Sequence, residues 1–96
     1  MKSEKYIEAA SNPTGSFKSF SVTSTSTIKY AIVYCYDGNF VVLSKIGIVG
    51  NDTATLNYKS GSAYYNLGTV TVNDKTLTVS DGDKYYKYYY NCYLFY

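Results

Sequence analysis

Along most of this chain, hydrophobic and polar residues alternate with a period of two, the spacing of strands that bury one face. Residues 16–22 predict a first strand with Phe20 and Val22 on one side, and the polar stretch 23–27 follows as a loop or exposed edge. Residues 28–36 and 40–49 are β-rich runs flanking Asp37-Gly38, a dipeptide suited to the tight turn whose twist matches paired strands. With Asp37 and Gly38 as the loop, Tyr34 faces Val41, Val33 faces Val42 and Ile32 faces Leu43. One face of this hairpin then carries Val33, Cys35, Phe40 and Val42, and the other carries Ile32, Tyr34, Val41 and Leu43. In a two-layer domain only one of them meets the core. The face with Ile32, Tyr34, Val41 and Leu43 is expected to meet the lead-in segment, a partner chain or a ligand.

Gly47 interrupts the second run as a bulge would, and Gly50-Asn51-Asp52 predicts a turn. Residues 53–59 alternate with Ala54, Leu56 and Tyr58 on one side, Ser60-Gly61-Ser62 turns the chain, and residues 63–72 form the next strand, broken at Gly68. Residues 76–79 place Leu77 and Val79 on the face of Val70 and Val72, leaving Thr69, Thr71, Thr76 and Thr78 outward. After the turn at Asp81-Gly82-Asp83, the run KYYKYYYNCYLFY is aromatic on both sides, with Tyr86, Tyr88, Tyr90, Cys92, Leu94 and Tyr96 on one face and Tyr85, Lys87, Tyr89, Asn91, Tyr93 and Phe95 on the other. Such a strand at an open edge invites aggregation, so it is expected to be central or covered. Residues 2–10 tolerate two helical turns, and with the turn Asn12-Pro13-Thr14-Gly15 they read as a lead-in, 1–15, to a single domain, 16–96. About seven strands with regular turn signals predict an all-β, antiparallel β-sandwich, with a small β-barrel as the alternative.

Composition sharpens this picture chiefly by what is missing. The aromatic residues are 14 Tyr and 4 Phe with no Trp, and a Tyr-rich chain favours half-wet contact surfaces over a dry core. All nine basic residues are Lys and the net charge is only +2. Without Arg there is no bidentate fork for phosphate or guanine, so specific nucleic-acid binding is not expected. The absence of His removes Ser/His/Asp and Cys/His nucleophile systems and His-ligated metals. Cys35 and Cys92 sit in strands and form no CxxC pair; they read as free apolar thiols, joined only if their strands are neighbours.

Asp37, Asp52, Asp74, Asp81 and Asp83 all fall in expected turns, where carboxylates cap backbone N–H groups. Neither a calcium loop nor a paired-carboxylate site is supported by Asp81 and Asp83 alone. The Thr-x-Thr pairs starting at 53, 69 and 76, with the stretch 23–27, are too irregularly spaced for the flat lattice of an ice-binding face, and threonine on the wet side of a strand is ordinary. No catalytic set, cofactor or metal site is expected, and the chain reads as a non-enzymatic module. The N-terminal residues lack the apolar run of a secretory signal and no stretch is long enough to span a bilayer, so synthesis in the cytoplasm is expected, a virion being a compatible destination.

A compact Tyr/Ser/Thr/Gly-rich β-domain ending on an aromatic strand, YYKYYYNCYLFY, resembles the knob and decoration domains of bacteriophage tail and head fibres over residues 16–96. The resemblance implies a virion structural or receptor-binding domain that self-associates, and a homo-oligomer is the expected state. The alternative is a carbohydrate-binding module facing a cell-surface glycan, or a protein receptor site, with a tyrosine platform drawn from Tyr64, Tyr65, Tyr85, Tyr86, Tyr88, Tyr89, Tyr90 and Tyr93.

Overall fold

The alternation read from the sequence reappears as an alternation of burial. The computed structural model describes residues 1–10, 15–35, 42–45, 51–83 and 89–96. Among them run eight strands: β1 Ser3–Glu8, β2 Phe20–Thr23, β3 Tyr30–Cys35, β4 Val42–Lys45, β5 Asn51–Ser60, β6 Ala63–Asn73, β7 Thr76–Ser80 and β8 Tyr90–Phe95. They make two antiparallel sheets, ordered β1-β8-β3-β4 and β2-β7-β6-β5. The arrangement is a β-sandwich that does not close into a barrel, and its strands after residue 16 are the seven expected ones, three in the first sheet and four in the second.

The eighth strand corrects the reading of the N-terminus. Residues 3–8, expected to tolerate helical turns, pair with β8 from Ser3 opposite Phe95 to Glu8 opposite Tyr90. Lys2 and Tyr96 extend the ladder with two further backbone bonds, of 2.6 and 2.8 Å. Helix propensity over so few residues is worth little against a ladder that satisfies every second backbone group. Asn51 and Asp52, expected in a turn, likewise belong to β5, opposite Asn73 and Val72.

Between the sheets lie Phe20, Val22, Ala31, Val33, Leu56, Leu67, Val70, Val72, Leu77, Val79, Tyr90, Cys92 and Leu94, all buried. Each fully enclosed Leu or Val contributes about 1.5–3 kcal/mol relative to exposure. Tyr90 ties the layers together. Its ring meets Phe20 edge-on at 5.6 Å, and its hydroxyl donates a 2.8 Å hydrogen bond across the core to the Leu67 carbonyl.

The hairpin register is the one Asp37-Gly38 dictates: Val33 lies opposite Val42 and Ile32 opposite Leu43, although the turn itself and Gly47 lie outside the described residues. The break expected at Gly68 is a shift of register between Leu56 and Asn57, where Gly68 takes φ 130°. A Cβ there would sit 2.7 Å from Val79 Cγ1, so this close approach needs glycine. Beyond the bulge β6 has no β7 beside it, and the β5–β6 hairpin continues as a two-stranded ribbon to Gly61, whose φ is 62°.

Candidate functional site

With each sheet giving one face to the core, the molecule has two outer faces, and they differ in chemistry. On the second sheet, cross-strand register aligns Ser21, Thr78, Thr71 and Thr53 in one row and Ser80, Thr69 and Thr55 in the next. Scattered in sequence, the Thr-x-Thr pairs thus share a face, and the Ser21 and Thr78 hydroxyls are bonded at 2.8 Å. A wet sheet face ordinarily carries such residues.

On the first sheet the outward positions carry Ser3, Lys5 and Ile7 on β1, Asn91, Tyr93 and Phe95 on β8, and Tyr30, Ile32 and Tyr34 on β3, because Ala31, Val33, Cys92 and Leu94 take the inward ones; Asn91 among them is buried. Ile7 is 52% exposed and Tyr30 38%. Ile32, Tyr34, Tyr93 and Phe95 are half-buried. Of the two hairpin faces read from sequence, β3 places Val33 in the core and Ile32 and Tyr34 on the side away from it, and Leu43 pairs opposite Ile32 in β4; Phe40 and Val41 lie outside the described residues.

Across this face runs an ordered row of rings. Tyr34 and Tyr93, diagonal neighbours on β3 and β8, stack with centroids 6.0 Å apart at 13° between planes, and their hydroxyl oxygens are 3.5 Å apart. From the β1 side the Lys5 ammonium lies 5.4 Å from the Tyr93 ring centre. The Tyr34 hydroxyl, and after it the Lys5 ammonium, holds the Tyr93 phenol below its usual pKa of 10.0. Tyr93 is thus engaged from both neighbouring strands.

The other tyrosines singled out from the sequence separate into different roles. Tyr64 on the ribbon is 68% exposed and Tyr89, just before β8, is 56% exposed, whereas Tyr65 packs partly against the core. Tyr90 is fully buried, so its expected place on a binding platform is corrected: it is a core residue, because position 90 has the inward parity of Cys92 and Leu94. Tyr85, Tyr86 and Tyr88 lie outside the described residues. Sequence reasoning missed Ile7, Tyr30 and Phe95 as members of the outer face. Phe95 and Tyr30 share the required parity with Tyr93 and Ile32, which was the available signal; Ile7 became visible only once β1 joined the sheet.

Two carboxylates, Glu4 and Asp74, tie separate segments together. The Glu4 carboxylate accepts from the Tyr6 hydroxyl and from Thr25 N–H at 2.9 Å, fastening β1 to the chain leaving β2. Those bonds, the Tyr6 hydroxyl first, lower its pKa from 4.5 to about 2. Asp74 and Asp81 occupy left-handed turn positions with φ 54° and 58°, and Asp74 Oδ1 accepts from the Thr27 hydroxyl at 2.6 Å. Cys92 is a free buried thiol pushed up to about 12 by burial. Its strand does neighbour that of Cys35, but Cys35 lies opposite Tyr90 and Cys92 opposite Val33. Such diagonal positions are about 7–8 Å apart, beyond the reach of a disulfide. Among the described residues no group of three or more His, Cys, Asp or Glu is placed to hold a metal ion. No protein-family model, curated protein or solved structure matches the chain.

Proposed function

We propose that this protein is a non-enzymatic binding and assembly module that packs against a second copy of itself through the outer face of its first sheet. The observation supporting this reading is the contrast between the outer faces: hydroxyl-bearing residues on one, and Ile7, Tyr30, Ile32, Tyr34, Tyr93 and Phe95 on the other. A chain that shaped only one of its two wet faces for water uses the other for contact. Tyrosines at the centre with Lys5 towards the β1 edge follow the common plan of an aromatic contact core within a charged rim. A virion appendage or receptor-binding domain of the phage-fibre kind is the proposed setting, in which copies of one small domain stand side by side.

Light scattering on the purified protein tests it. A mass near twice 10.8 kDa or a higher multiple is expected, falling to that of one chain in Ile7→Glu, which places a charge on an already exposed position. A wild-type protein that stays monomeric at high concentration would sink the proposal. The exposed rings of Tyr64 and Tyr89 favour a second reading, carbohydrate binding. Selective glycan capture by a monomer, lost in Tyr64→Ala, would replace the first reading with this one.

A further inference from the structure

We infer that Tyr34 and Tyr93 form an oxidative modification site, at which one-electron oxidation joins the two rings by a carbon–carbon bond and staples β3 to β8 within one chain. The register makes them diagonal neighbours on one face of adjacent antiparallel strands, a separation that aromatic side chains bridge. Their planes differ by 13° and their centroids are 6.0 Å apart, while their hydroxyl oxygens are only 3.5 Å apart. The rings therefore converge towards their phenol ends. The carbons ortho to each hydroxyl, where a phenoxyl radical carries much of its unpaired spin, lie at that converging end. Both strands sit in one hydrogen-bonded sheet, so the pair is held together before reaction. The lowered pKa of Tyr93 adds to this, since a phenolate gives up an electron more readily than a phenol.

The oxidant is hydrogen peroxide acting through a haem peroxidase. Each phenol loses one electron and its hydroxyl proton to become a phenoxyl radical. The radicals combine at their ortho carbons, and the two ring hydrogens displaced there return to the oxygens through solvent, restoring both phenols. The two electrons and two protons released reduce one peroxide to two waters. The peroxidase must reach the phenols, so the reaction is read at a dilution at which the face is free of a second copy.

Dilute full-length protein treated with peroxidase and peroxide tests the inference. A species lighter by two hydrogen atoms is expected, running as a single chain on a denaturing gel, showing dityrosine fluorescence and yielding a cross-linked peptide that joins residues 34 and 93. Tyr34→Phe and Tyr93→Phe, each verified as folded by circular dichroism, should both lose the intrachain product, whereas Tyr30→Phe on the same face should keep it. Intrachain dityrosine that survives in Tyr34→Phe, or dityrosine found only between chains, overturns the assignment.

Discussion

Tyr90 shows how much one side chain can decide in a core this small. Its hydroxyl satisfies the Leu67 carbonyl inside the sandwich, next to the bulge where the β5–β6 register shifts. Tyr90→Phe leaves that buried acceptor unpaired, which costs about 1–3 kcal/mol. A melting temperature lower by at least about 4 °C is expected in calorimetry. Cys92 offers a second measurement at this scale. A thiol pushed up to about 12 stays protonated at pH 8, so in a Cys35→Ser background iodoacetamide should leave the folded chain unmodified and label it once on unfolding. Rapid labelling of the native protein would show that position 92 is not enclosed.

At the scale of the element, β1 is the informative strand. None of its residues is fully buried, and its burial alternates between exposed and intermediate, whereas Tyr90 to Cys92 and Leu94 in its neighbour β8 are buried. It is attached by the backbone ladder and by the Glu4 bonds to Tyr6 and Thr25. Because folding lowers the Glu4 pKa from 4.5 to about 2, its contribution is complete above pH 4.5 and is lost as pH falls towards 2. Urea midpoints of the wild type and Glu4→Gln should therefore differ at pH 7 and converge near pH 2. A difference that does not change with pH would mean that the carboxylate charge is not what fastens the strand. By covering one side of β8, β1 also answers the edge problem raised by the terminal aromatic run: β8 is central, flanked by β1 and β3, and the outermost strand is one carrying Glu4, Lys5 and Glu8.

For the whole molecule, the two outer faces form an internal comparison. If self-association uses the aromatic face, a charge on the hydroxyl face should leave it alone. Thr71→Glu is expected to keep the oligomeric mass that Ile7→Glu abolishes, both read by light scattering at the same concentration. Equal effects from the two substitutions would show that net charge, and not a particular face, governs association.

Local pattern was enough to place most of the strands, because neighbours two residues apart must share a side of a pleated ribbon and a two-residue turn leaves one register open. That is why the pairing of Val33 with Val42, the break at Gly68 and the inward set Val70, Val72, Leu77 and Val79 were all legible in the chain itself. Periodicity groups residues by side, but in the terminal run it left both sides aromatic. Only the packing of the two sheets buried Tyr90 while leaving Tyr93 beside Tyr34. Contacts between residues distant in sequence decided the rest: β1 becomes a strand because β8, more than eighty positions away, offers it unpaired backbone groups, and nothing within residues 3–8 could announce that partner.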